Sequence, residues 1–332
     1  MSLLKVQTER AQPINKKTIV ITGASSGIGR ATAIELARYG CTLVLAARQK
    51  DALEEVADVC DRLGAKAMVA VTDVTDAASV KQLAKDACLF GKSIDVWINI
   101  AGIGVMGEFT TVPIEVHDQV IKTNLMGYMH GAHAVLPYFK KQKFGTIINV
   151  NSVGGWVAMP YAAAYDASKF GLRGFSEGLR GELSDCPDIH ICDVFPSFVD
   201  TPGPKHAGNY TGKKLKPVPP VVPTYKVAKA IAGLVFKPKS TTIIGASAYL
   251  AKAGYAISPR LTRWSLLKLM QMYFKQAECE PVTNGNAFEP TGADNRIAGG
   301  YASKTITPSR VQLAGLVGVA AAGAFFIVRK LF

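Results

Sequence analysis

The most informative absence in this sequence is of acid. Residues 201–276 carry thirteen Lys and Arg and not one Asp or Glu, while the rest of the chain balances at 25 basic against 25 acidic residues. The net charge of +13 therefore belongs to one segment rather than to the whole chain. A solvated basic surface accounts for it, and so would a lobe facing anionic lipid or an acidic substrate. No nucleic-acid recognition motif accompanies it, so nucleic acid is not an expected partner. Cysteine is sparse in any useful pattern. The six (41, 60, 88, 186, 192 and 279) show no Cys-x-x-Cys spacing, which argues against a metal ribbon or disulfide framework and for a reduced compartment. Histidines 117, 130, 133, 190 and 206 are scattered without ligand spacing, and no metal is expected. The N-terminus has no apolar run of signal-peptide length, so no secretion signal is expected.

What is present begins with Lys17–Thr22, a β-branched apolar run of the kind that forms a buried parallel strand. It leads into Gly23-Ala24-Ser25-Ser26-Gly27-Ile28-Gly29 and then a helical pattern from Arg30 to Tyr39, stopped at Gly40. Strand, glycine turn and helix N-terminus together make a phosphate site, because the backbone can approach a pyrophosphate closely and helix N–H groups favour its charge. The next strand, Thr42–Ala47, ends at Arg48 where an NAD-binding fold places an acid on the ribose. Arginine can grip a 2′-phosphate, so NADP is expected ahead of NAD; stacking of Arg48 over the adenine is the alternative and suits either cofactor. Helix-like runs at 51–63 and 77–90 alternate with strand-like runs at 67–74 and 94–102. Asp73, at one strand end, either meets the adenine edge or caps the following turn. The alternation predicts an α/β fold: a doubly wound parallel sheet of Rossmann type in a single domain, with ligands at the strands' carboxyl ends.

Further along, Tyr165 and Lys169 stand four apart on a predicted helix, and so on one face. A lysine ammonium there would lower the tyrosine's pKa and fit it for general acid–base work. Ser152 closes the strand 146–151 at the same sheet edge as the glycine turn, and Asn124 falls in a predicted helix over 114–136.

With Thr22-Gly23-x-x-x-Gly27-x-Gly29, Asn99-x-Ala101-Gly102, Asn124, Ser152, Tyr165-x-x-x-Lys169 and Pro196-x-x-Val199-x-Thr201 in order, the sequence resembles the short-chain dehydrogenase/reductase family over about residues 14–250. The resemblance implies a catalytic set of Asn124, Ser152, Tyr165 and Lys169. In it Tyr165 passes the proton, Ser152 holds the substrate oxygen, Lys169 holds the nicotinamide ribose, and Asn124 anchors a relay water. It also implies cofactor contacts from Gly23, Ser25, Ser26, Gly27, Ile28 and Gly29, from Arg48, Asp73 and Val74, and from Asn99, Ala101 and Gly102. Tyr165, Lys169, Pro196, Val199 and Thr201 complete that set. Two positions depart from the family pattern: Ile100 replaces a usual second asparagine, and Ser197 follows Pro196 in place of glycine. The expected activity is hydride transfer between NADP(H) and a carbonyl or alcohol, on a small and lipophilic substrate. A catalytically silent cofactor sensor or scaffold of the same fold is the alternative. His206, with Asn209 and Tyr210, is either a substrate contact or part of a plain polar loop.

Beyond the catalytic unit, 204–223 reads as a lid rich in proline and lysine, followed by helix 224–236 and strand 240–245. Residues 251–276 read as a basic amphipathic helical segment that could pack in a homo-oligomer or lie on a membrane, and 277–310 as a polar linker. Residues 311–328 form an apolar run bracketed by Arg310 and Arg329-Lys330, with 1–13 and 329–332 as short tails. Eighteen helical residues rise about 27 Å, close to the hydrocarbon thickness. A single C-terminal membrane span is thus expected, with the catalytic domain on the cytoplasmic side; burial of the run within an oligomer is the alternative.

Overall fold

The structure is a computed structural model that describes residues 14–291 and 294–302. Its centre is a seven-stranded parallel sheet. The strands in chain order are β1 (Thr18–Thr22), β2 (Thr42–Ala47), β3 (Lys66–Val71), β4 (Val96–Asn99), β5 (Gly145–Val150), β6 (Ile189–Pro196) and β7 (Thr241–Ile244). Their order across the sheet is β7-β6-β5-β4-β1-β2-β3. The winding direction reverses between β1 and β4, which opens a crevice at the carboxyl ends. The expected α/β fold with a C-terminal helical extension is what the structure has.

The sheet forms because its central strands are apolar on both faces. All five residues of β1 are buried. Ile19 and Ile21 point into one core with Leu36, Leu43, Leu45 and Ile231, while Val20 joins Val44, Trp97, Phe139 and Ile147 on the other side. This is the period-two alternation of a strand covered twice. The first face is covered by α1 (Gly27–Ala37), α2 (Lys50–Arg62) and α8 (Thr224–Phe236). The second lies under α3 (Ala77–Gly91), α5 (Gly127–Gln142) and α6 (Ala163–Glu182). The predicted helix 114–136 is interrupted: α4 (Ile114–Ile121) passes through a π-helical turn at Lys122–Met126 before α5 begins. The short helix α7 (Gly203–His206) follows β6, and the extension comprises two helices, α9 (Ala246–Ile257) and α10 (Pro259–Gln276).

After α10 the chain doubles back. Lys213 bridges Cys279 and Asn209 bridges Thr283 in antiparallel fashion, and the described residues of 284–302 then run along the carboxyl edge of the sheet. The described part of the expected linker is thus a packed strap. Its acids answer the acid-poor lobe, with Lys214 on Glu278 at 2.8 Å and Lys205 on Asp294 at 2.9 Å. The expected membrane association is corrected here. Among the described residues no helix is long and apolar enough to cross a membrane. The run 311–328, on which that expectation rested, lies outside the described residues, as do the tails at 1–13 and 329–332.

Candidate active site

A cleft of about 250 Å³ opens at the crevice where the winding reverses. Its floor is the glycine turn between β1 and α1, which is tight enough to dictate its residues. A Cβ on Gly29 would stand 1.9 Å from the Gly23 carbonyl oxygen, and Gly23 itself has φ +71° with Ala101 N 2.7 Å from where a Cβ would be. Gly23, Ser25, Ser26, Gly27, Ile28 and Gly29 all line the cleft. Arg48, Asp73, Val74, Ala101, Gly102 and Thr201 line it too. Asp73 also caps its turn, accepting from the Thr75 N–H and hydroxyl at 2.8 Å each, so it takes up the second of its two expected roles. These residues fit a dinucleotide: a glycine-rich backbone turn at the helix start, and a cation at the end of β2.

Five expected cofactor residues, Tyr165 among them, do not line this cleft. Asn99 is buried, accepting from Trp97 Nε1 at 2.8 Å and donating to Asn149 Oδ1 at 2.9 Å. Pro196 and Val199 are held in strand pairings with Ile244 and Val222. Lys169 is buried on α6. The sequence had no signal for a further part of the wall, Asn286, Pro290, Thr291 and Asn295 from the strap.

Beside the cleft, α6 brings Tyr165 and Lys169 to the end of β5, where Ser152 begins a one-turn helix and accepts from Gly154 N–H at 3.1 Å. Burial raises the Tyr165 pKa above its ordinary value; the Ser152 hydroxyl bonded to it works downward, and the Asp166 charge upward. Burial brings Lys169 down to about 7, opposed by the charge of Asp193. Lys169 Nζ donates to the Val150 carbonyl at 3.1 Å and lies 5.9 Å from the centre of the Tyr165 ring. The expected lowering of the tyrosine by the lysine is therefore not what this geometry gives. The ammonium is aimed at a carbonyl and is only partly charged near neutral pH, whereas Ser152 supplies the lowering. A buried phenol and a hydroxyl side by side can still hold one oxygen between them and exchange a proton with it.

Asn124 sits in the π-helical turn and is fully buried. Its amide bonds the main chain of Ile103 in both directions at 2.8 Å, and it reaches Ser168 Oγ at 3.3 Å. It therefore ties the segment after β4 to the helix that carries the tyrosine. π-Helical turns of this kind are common at functional sites. His206 lines the cleft, while Tyr210 bonds Asn284 of the strap and Asn209 bonds Glu280 at 3.2 Å.

Comparison with known proteins decides the family. The description that matches, short chain dehydrogenase, covers residues 17–209. The chain belongs to the short-chain dehydrogenase family. It is 31% identical over 264 residues to the uncharacterized oxidoreductase YxnA of Bacillus subtilis (strain 168), spanning 79% of this chain and 74% of that one. It is 35% identical over 195 residues to the 11-beta-hydroxysteroid dehydrogenase-like 4A protein of Arabidopsis thaliana, covering 58% of this chain and 64% of the relative. Among solved structures it resembles an alcohol dehydrogenase of the archaeon Thermococcus sibiricus complexed with 5-hydroxy-NADP. The TM-score is 0.60 and the identity 28%, over 69% of this chain and 94% of that one. As a short-chain dehydrogenase the protein is an oxidoreductase on a fold that binds a nicotinamide cofactor. The matched span ends at 209, so the strap lies beyond it.

Proposed function

We propose that the protein interconverts a carbonyl and an alcohol with NADP(H), using Tyr165 as general acid and base. The observation that carries this reading is the meeting of Ser152, Tyr165 and Lys169 at one sheet edge, next to a cleft whose floor is a glycine turn. Ser152 would orient the substrate oxygen and Tyr165 would give or take its proton. Lys169 would hold the nicotinamide ribose, with Asn124 fixing the surrounding main chain. The cofactor's own part is to supply or accept the hydride. A lipophilic substrate is favoured by the apolar residues packed around Tyr165, of which Ile103 also lines the cleft.

Preference for NADP is supported by Arg48, a cation at the strand end where an acid would repel a 2′-phosphate; its guanidinium, which donates to the Asn286 and Phe288 carbonyls, would turn donors to the phosphate. The Thermococcus sibiricus neighbour, whose bound ligand is a 5-hydroxy-NADP, points the same way. The decisive experiment is Tyr165→Phe, assayed on a panel of ketones, aldehydes and alcohols with NADPH and NADP. Turnover is expected to fall by about 10²-fold or more with dinucleotide affinity retained; an active variant would sink the assignment. Arg48→Ala is expected to weaken NADPH more than NADH, and equal losses would remove the preference.

A further inference from the structure

We propose that residues 286–291 and 294–296 form the outer wall of the dinucleotide site, with the side chains of Asn286 and Thr291 contacting the adenosine end of the cofactor. The inference rests on the dinucleotide reading of the cleft and adds to it a part of the chain beyond the family's matched span.

The strap meets the cleft with its main chain. Its carbonyls accept from donors on the opposite wall. Arg48 Nη1 donates to Phe288 O at 2.7 Å and Nη2 to Asn286 O at 2.8 Å. Gln49 Nε2 donates to Thr291 O at 3.2 Å and Arg30 Nη1 to Asn295 O at 3.0 Å. The Gly27 N–H, at the start of α1, donates to Arg296 O at 3.0 Å. Donors from α1, its glycine turn and the end of β2 are thus joined to one segment, which closes the adenosine side of the crevice.

Two oxygens on that segment are left over. Asn286 Oδ1 and Thr291 Oγ1 have neither solvent contact nor a hydrogen-bond partner, and both residues line the cleft. Buried polar groups are normally paired, so two unpaired oxygens on residues of the cavity wall are groups that would gain a partner if a bound ligand turned them toward its donors. The ribose 3′-hydroxyl and the adenine amino group are the donors that NADP(H) brings to this end.

The strap is anchored as a wall would be. Ala287 is buried in the apolar cluster at Tyr165, and the Asn286 N–H donates to His206 O at 2.8 Å. Beyond it, Asp200 accepts the N–H groups of Tyr301 and Ala302 at 2.8 and 3.1 Å.

The test uses the full chain and two readouts: NADPH and NADH affinity by fluorescence titration, and amide exchange across 286–302 with and without dinucleotide. Asn286→Ala and Thr291→Val are each expected to weaken affinity about threefold to tenfold. Exchange in the strap is expected to slow when NADPH binds. Unchanged affinity in both variants would overturn the inference. So would exchange that speeds up, which marks a plug that leaves as the cofactor enters. If the wild-type protein binds neither dinucleotide, the cofactor reading itself fails and the wall falls with it.

Discussion

Asp166 occupies surroundings that oppose its charge. It is 4% exposed; Oδ2 accepts the Met159 N–H at 2.6 Å, while Oδ1 is buried without a partner. Burial pushes its pKa up to about 7, against the one hydrogen bond that lowers it. In the unfolded chain the group titrates near its ordinary value of about 3.9. Between roughly pH 4 and pH 7 the folded state therefore binds more protons than the unfolded state, and this residue's contribution to stability declines as pH rises through that window. Asp166→Asn is expected to stabilise the protein at pH 8 by about 1–3 kcal/mol and to give no gain at pH 4, read from urea melts at the two values. The same carboxylate raises the pKa of Tyr165, so the variant's pH–rate profile should move toward acid. A profile that stays in place would show that the tyrosine does not feel this charge.

Elements were legible where side-chain chemistry dictates geometry. The glycine turn could be read because no other residue fits it, and Gly29→Ala is expected to abolish dinucleotide binding, measured by NADPH fluorescence, and to lower the thermal midpoint. The strands could be read because a sheet covered on both faces demands unbroken apolar runs, as in β1. The π-helical turn at Asn124 could not, since the apolar spacing on either side fits an uninterrupted helix. The strap was hidden for a different reason. It holds the cleft through carbonyls, which every residue has, so its side chains keep the polar, glycine-rich look of a linker. One position does betray it. Gly285 has φ +56°, and a Cβ there would lie 2.3 Å from the His206 carbonyl oxygen. Gly285→Ala is expected to lift the strap, exposing the bond after Arg296 to trypsin and weakening NADPH binding together; intact resistance to cleavage would count against that anchoring.

At the scale of the molecule, β4, β5 and β6 are joined by a buried polar chain as well as by apolar cores. Trp97 donates to Asn99, Asn99 to Asn149 at 2.9 Å, Asn149 to Ser176 at 3.1 Å, and Ser176 to Asp193 at 2.7 Å, with Arg180 closing on the same carboxylate. The chain crosses β4, β5 and β6 and takes in α6, the helix that carries Tyr165 and Lys169, and the charge of Asp193 acts on Lys169. Such a network has its full value only when every member is satisfied. Ser176 is completely buried, so Ser176→Ala strands an amide donor on one side and a carboxylate oxygen on the other. The expected cost is about 2–4 kcal/mol, seen as a lower urea midpoint with an unchanged slope. Because the charge of Asp193 acts on Lys169, turnover should fall as well. A loss of turnover with the midpoint unmoved would mean that the chain places the lysine without holding the sheet together.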